Sequence, residues 1–299
     1  MQATPRFSVI VPTYNRPLQL AICLEALARL EYPRDRFEVL VVDDGSTTPL
    51  DTVVASFRDK IDVTLFTQLH AGPAAARNTG ALRAKGQFLA FTDDDCMPAS
   101  DWLQKLAERF VQAPESAIGG RTLNALPENA CATASQILID YLYTYYNADP
   151  NQARLLISNN LALPAERFYA VGGFDAVWLR AAAEDRELCD RWRRGGGRMR
   201  YAPEAVTYHQ HALTFRSFWR QHFRYGRRAF HFHQVRSRHA GTGVRLEPLS
   251  FYLNLLRYPF SRISTGRGLR LAALLMVSQL ANVTGFLYEG VTRRAPGRT

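Results

Sequence analysis

The sequence predicts an α/β fold, a Rossmann-like mixed but mostly parallel sheet, followed by a helical C-terminal extension. Three observations carry that expectation. The short apolar runs Phe7-Ser8-Val9-Ile10-Val11, Phe37 to Val42 and Phe88-Leu89-Ala90-Phe91-Thr92 have the length and make-up of buried parallel strands. Between the first two, Leu20, Leu24, Leu27 and Leu30 recur at helical spacing. Carboxylates end two of the runs, as Asp43-Asp44 and Asp93-Asp94-Asp95, at the strand ends where open α/β sheets bind ligands.

The chain bounds the answer in other ways. Its 299 residues suffice for one large α/β domain with additions or for two small ones. Hydrophobic residues at 47% and charged residues at 21% are ordinary for a globular protein. A net charge of +10 favours polyanionic partners such as nucleotide phosphates or anionic lipid headgroups. Cys23, Cys96, Cys131 and Cys189 form no CxxC pair, so neither a zinc site nor a disulfide framework is expected. Cys23 and Cys189 fall on apolar helix sides, and a reducing cytoplasm is the simplest setting. No signal-peptide pattern precedes the first strand.

Taken in order, the first strand is expected to stop at Pro12. Asn15 is the N-cap candidate of the next helix, with Pro17 in its first turn. The turn between them, Pro12-Thr13-Tyr14-Asn15-Arg16, has no GxGxxG, which argues against a dinucleotide-binding oxidoreductase. Phe37 to Val42 completes a βαβ unit, and Asp43 and Asp44 are placed to meet the hydroxyls or imide N–H of a nucleoside. Val63 to Phe66 is a third strand. Pro73 then opens an alanine-rich helix, where small residues admit a phosphate and Arg77 offers a fork of donors, unless Arg77 is simply solvated. The Asp triplet follows. Two carboxylates about 4 Å apart repel by about 1 kcal/mol in water and about 4 kcal/mol at an effective dielectric near 20. A partly buried cluster therefore needs a cation, and Mg²⁺ or Mn²⁺ suits strand-end carboxylates. An acidic turn capping the next helix is the plainer alternative.

Four blocks occur in one order: Ser8 to Arg16, Val41 to Ser46, Gly72 to Gly80, and Phe91 to Asp95. Together they resemble the nucleotide-binding half of family 2 glycosyltransferases, which have the GT-A fold. The resemblance implies a nucleotide-diphosphate sugar donor and makes Asp93-Asp94-Asp95 the DxD element, with Asp93 and Asp95 as its outer, metal-binding carboxylates. Pro12, Tyr14, Asn15, Arg16, Asp43, Asp44, Arg77, Asp93 and Asp94 then line the nucleotide sugar.

Beyond the triplet, Ser100 is the N-cap candidate of a helix that buries Leu103, Leu106 and Phe110, with Asp101 favouring its N-terminus. Ala117 to Arg121 and Ile157 to Leu163 read as strands. Ile137, Leu138, Tyr141, Leu142 and Tyr145 form a helical stripe, expected to pack rather than to bind sugar. Val171-Gly172-Gly173-Phe174-Asp175 and the pair Glu184-Asp185 at a helix start look like the family's acceptor-side elements. Displacing a nucleoside diphosphate from an anomeric carbon needs a base opposite the leaving group. Asp185 is the base candidate, its pKa raised by Glu184 beside it. Met199 to His211 contains a late strand. By the same resemblance His209 is a metal or phosphate ligand, with His211 the alternate.

From Phe215 the composition changes. Arg216, Arg220, Arg224 and Arg228 trace a basic helical face, which meets lipid phosphates or an anionic acceptor or is simply solvated, and Phe215, Phe218, Trp219, His222, Phe223 and Phe230 trace an apolar-aromatic one. That separation by face is unlike a single-strand nucleic-acid site, so no nucleic acid partner is expected. Leu269 to Leu287 is apolar but interrupted by Ser278, Gln279, Asn282 and Thr284, which suits a buried or interfacial helix better than a membrane span. The reading is a catalytic domain over 1–212 (1–98 nucleotide-sugar half, 99–212 acceptor half) and a basic helical region over 213–299. It would act as a metal-dependent inverting glycosyltransferase on a carbohydrate or lipid-linked acceptor in cell-surface polysaccharide or glycolipid synthesis, cytoplasmic and peripheral on the inner membrane face. Two rivals stand beside it: a sugar-nucleotide pyrophosphorylase, which would want a glycine-rich basic loop where Pro12 to Arg16 stands, and a non-catalytic nucleotide-sugar scaffold.

Overall fold

The computed structural model describes residues 6–176, 183–240, 247–262 and 264–292. They form two compact units. One comprises the residues up to Ala125 with Tyr146–Gln210; the other comprises Leu126–Tyr145 with the residues from His211 on.

In the first unit, strands β1 (Phe7–Thr13), β2 (Phe37–Asp43), β3 (Val63–Thr67) and β4 (Phe88–Thr92) pair in parallel, in the order β3-β2-β1-β4. The sheet continues through β7 (Asn160–Pro164), antiparallel to β4, then β6 (Ala117–Asn124), β8 (Met199–His209) and the short β5 (Cys96–Pro98). Helices α1 (Pro17–Ala28), α2 (Asp51–Ala55), α3 (Pro73–Arg83), α4 (Trp102–Gln112), α6 (Ala165–Ala170) and α7 (Glu184–Arg194) supply most of the apolar cover. Leu20, Cys23, Leu24 and Leu27 face one side of the sheet; Leu188, Cys189 and Trp192 face the other. This mixed sheet is the GT-A architecture that the sequence predicts.

Three local expectations are corrected. Strand β1 runs past Pro12 to Thr13, because Pro12 sits near the strand end opposite Val42 and can keep an extended backbone there without a donor. Arg16, not Asn15, holds the N-cap position of α1, and no side chain caps it. Asn15 adopts φ +55° and turns its amide oxygen to Thr47, accepting from the backbone N–H at 2.8 Å and from the hydroxyl at 3.0 Å. Ser100 likewise caps nothing: Asp101 is the N-cap residue of α4, and the Ser100 hydroxyl bonds Glu31.

Asn160, on β7, ties β6 to β8 where their register shifts between Gly120 and Arg121. Its Nδ2 donates to the carbonyls of Arg121 and Ala205, and its Oδ1 accepts from the Trp102 indole at 2.9 Å. A Cβ on Gly120 would lie 2.1 Å from the Ala205 carbonyl oxygen and 2.5 Å from the Asn160 amide. Gly120→Ala is therefore expected to destabilise by at least the about 1–3 kcal/mol typical of overpacking, read as a lower denaturation midpoint; an unchanged midpoint would mean that the backbone here yields freely.

The second unit is helical: α5 (Ala130–Tyr146), α8 (Phe215–Ala240), α9 (Leu249–Arg257) and α10 (Thr265–Thr292). The boundary expected at 212 left the first of these with the catalytic half. Instead residues 126–145 cluster with the C-terminal helices, where Ala134, Ile137, Leu138 and Tyr141 pack with Phe218, Phe251, Leu255, Leu271 and Leu275. The tyrosine stripe does pack: the Tyr141 hydroxyl donates to the Phe251 carbonyl at 2.7 Å, and the Tyr145 ring meets Phe251 edge-on. His222 is buried on Ser135, and burial pushes its pKa down to about 4.

Candidate functional site

The carboxyl ends of β1, β2 and β4 converge with the start of α7 and the end of β8. Each carboxylate of the Asp triplet meets a cation there. Asp93 accepts from Arg77 Nη2 at 2.6 Å. Asp94 accepts from the Thr13 hydroxyl at 2.8 Å and from Arg16 Nη1 at 3.0 Å, and the same nitrogen reaches Asp95 at 3.0 Å. His209 Nε2 lies 3.2 Å from Asp95 Oδ1. Burial, opposed by Arg16 and aided by the neighbouring aspartates, pushes Asp94 up to about 6. The Asp95 carboxylate outweighs burial at His209 and raises its pKa. The His209 shift reports negative potential at the end of β4, whereas the Asp94 shift is mainly the effect of burial.

Arg77 is not solvated. It is 4% exposed and bridges two halves of the sequence: Nη2 to Asp93, and Nη1 to Glu184 Oε1 at 3.1 Å. Its pKa is raised because those carboxylates outweigh burial. Its fork is thus spent on protein carboxylates rather than aimed at a phosphate, while Nε and Glu184 Oε2 are buried without a partner. Its neighbour Asn78 secures the acceptor side. The Asn78 amide accepts from the Phe174 N–H at 2.9 Å and donates to its carbonyl at 2.8 Å, which locks the turn of Gly172 (φ +86°) and Gly173 (φ +68°) onto α3.

Asp185 is half-buried in the first turn of α7, its Oδ1 accepting from the Arg186 N–H at 2.8 Å. Its pKa is raised, burial being the larger cause and the Glu184 charge the second. The expectation named only Glu184.

On the β2 side, Asp43 accepts from the Ser46 N–H, and Asp44 is occupied with the loop after β3. Its oxygens accept from Gln68 at 2.7 Å, the Ala71 N–H at 2.9 Å and the Gly72 N–H at 2.8 Å. His70 Nδ1 sits 2.9 Å from the same carboxylate. The His70 ring in turn stacks on Tyr14, centroids 4.3 Å apart and planes 28° from parallel, with Tyr14 41% exposed. His70, Asn78, Thr13 and Gln68 went unnoticed in the sequence; only Asn78 and Thr13 lay in quoted blocks, and spacing carried no signal for the other two. His211, the alternate to His209, bonds Gln221 in the second unit.

Fold and site together define a GT-A nucleotide-sugar transferase architecture. Residues 8–172 match Glycosyl transferase family 2 and residues 91–288 match Glycosyl transferase family group 2, and the chain belongs to the family 2 glycosyltransferases. Glycosyltransferase AglE of Haloferax volcanii is 34% identical over 131 residues, covering 43% of each chain. The probable glycosyltransferase YdaM of Bacillus subtilis is 27% identical over 240 residues, 76% of this chain and 56% of that one. The chain thus spans about half the length of these curated relatives. Among solved structures, the mannosyltransferase PcManGT of Pyrobaculum calidifontis, in complex with GDP-Man and Mn²⁺, shares the fold at a TM-score of 0.63 and 23% identity, over 98% of this chain and 81% of that one.

Proposed function

We propose that the protein is an inverting glycosyltransferase that moves a sugar from a nucleotide-diphosphate donor to an acceptor hydroxyl, carbohydrate or lipid-linked, at a membrane surface. The observation that carries this reading is the Arg77 bridge, which holds a donor-side carboxylate and the start of α7 in one site. The Tyr14–His70 stack offers a platform for the nucleoside base. Asp43 keeps lone pairs for nucleoside hydroxyls, while Asp44 braces the adjoining loop beside them.

Asp95 and His209, with ligand atoms 3.2 Å apart, would hold the ion, and Asp93 is the further carboxylate that the family resemblance implies; carboxylate oxygen and imidazole suit Mn²⁺ as well as Mg²⁺. When bound there, the ion would offset charge on the departing diphosphate. In the reaction, the Asp185 carboxylate takes the proton of the acceptor hydroxyl. The acceptor oxygen then bonds to the anomeric carbon, the bond to the diphosphate oxygen breaks, and its electron pair leaves with the nucleoside diphosphate. Arg16, on the exposed side of Asp94 and Asp95, is placed to meet a phosphate.

A thermal-shift series with GDP, UDP, CDP and ADP, with and without Mn²⁺, tests the donor site. One diphosphate at 100 times its dissociation constant should stabilise by about 2.7 kcal/mol; no shift with any of them would sink this reading. The pH profile tests the base. Because Asp185 works ionised and its pKa is raised, the rate should fall with acid from above the ordinary carboxylate range. Glu184→Gln should move that acid limb to lower pH but not fully back, since burial is the larger cause. An unmoved limb would assign it to another group.

A further inference from the structure

The second unit concentrates the charge of the whole chain. From His211 to the end there are fifteen arginines, no lysine and two glutamates, a net +13, so the preceding 210 residues carry −3 of the overall +10. One of the two glutamates, Glu289, is buried between Arg227 at 2.6 Å and His231 at 2.8 Å. Arg216, Arg220 and Arg224 make no ion pair among the described residues.

Among the described residues, the same unit leaves one apolar face without cover. Helix α10 buries Leu271, Leu275, Ser278, Ala281, Gly285 and Glu289 along one side. Leu269, Met276, Leu280, Val283, Leu287 and Val291 run along the opposite side at helical spacing, each more than half exposed. Over 22 residues that stripe is about 33 Å long. Beside it the Tyr288 ring meets Phe223, with the Arg227 guanidinium over it. Trp219, Phe223, Arg220, Arg224 and Arg227 then line a cleft of about 290 Å³. Crossing from α10 to α8, the surface passes from aliphatic to aromatic to arginine.

We propose that this face of α8 and α10 docks on an anionic phospholipid bilayer, with the α10 stripe in the acyl boundary, Trp219 and Tyr288 at headgroup level, and Arg220 and Arg224 on lipid phosphates. The order of chemistries across the surface is that of an interfacial helix. Helix α10 is long and apolar enough to span a membrane, but it does not stand alone. Gly226 and Gly285 bring α8 and α10 into backbone contact: a Cβ there would lie 1.9 Å from the Asn282 oxygen and 2.0 Å from the Phe223 oxygen. A spanning α10 would draw the unpaired arginines of α8 into hydrocarbon, which is costly; lying in the interface leaves them at the phosphates. A second copy on this stripe would set two arginine faces against each other. Nucleic acid would leave the aliphatic stripe uncovered.

The purified full chain should float with phosphatidylglycerol–phosphatidylcholine vesicles at low salt and at least tenfold more weakly with phosphatidylcholine alone. Each arginine near an anionic surface contributes about 1 kcal/mol, so Arg220→Gln with Arg224→Gln should weaken binding about thirtyfold. Leu280→Ser with Leu287→Ser should weaken it while leaving the melting temperature in place, because both side chains are exposed. Neither pair touches the donor site, so the nucleoside-diphosphate thermal shift should persist in both, which separates this proposal from the catalytic one. Flotation indifferent to lipid charge or to both pairs of substitutions would overturn the proposal. So would resistance to carbonate extraction, retention on RNA without flotation, or a dimer that the serine variant alone dissolves.

Discussion

Asp185→Asn is expected to lower turnover by about 10²–10⁴-fold, the contribution of a positioned general base, with the nucleoside-diphosphate thermal shift unchanged. Asparagine keeps the shape and can still accept from the Arg186 N–H, so the loss would be of proton acceptance rather than of geometry. The variant should also be slightly more stable at pH 7. A carboxyl whose folded pKa is raised is less stable ionised in the native state than in the unfolded chain, and a neutral amide removes that cost, along with repulsion from Glu184. Stability gained as activity falls is the usual signature of a group held for chemistry. Unchanged turnover would sink the base assignment; a lower melting temperature would make Asp185 structural.

Arg77→Met should give the largest stability loss in the donor site. The substitution leaves Glu184 buried and Asp93 partly buried, at 7% and 29% side-chain exposure, with their shared cation gone. Removing one partner of a buried pair costs about 3–5 kcal/mol, and the cost should fall mainly on Glu184 because Asp93 is nearer water. For a chain this size that is a fall in melting temperature on the order of 10 °C. Arg77→Lys should recover only part of the loss, since one ammonium cannot span two carboxylates as the fork does. Equal midpoints for Arg77→Met and the native protein across pH 4 to 8 would remove Arg77 from the centre of the site.

Much of the donor half was legible in the chain. Strands β2 and β4 announced themselves as apolar runs ended by acidic residues, because parallel strands buried on both faces leave few other choices. The Glu184-Asp185 pair at a helix start and the Gly172-Gly173 turn were also readable, being local chemistry. The Arg77 bridge was not legible: the chain offered Arg77 as a fork for the nucleotide or as a solvated side chain, and the two carboxylates that take its fork lie 16 and 107 residues away. Asn15 was misread for a related reason, since the group that claims its side chain, Thr47, belongs to another turn.

Linear order thus settled the acidic ends of β2 and β4 and the shift to arginine after His211. Periodicity and composition act within a few residues, and the chain states them directly. Pairing is different. Arg77 joining Asp93 to Glu184, His70 stacking on Tyr14, α5 leaving the sheet for the C-terminal helices, and α10 turning one apolar face inward and the other out all depend on which distant segments meet. Those choices follow from burial and charge compensation across the folded chain, which no local window contains.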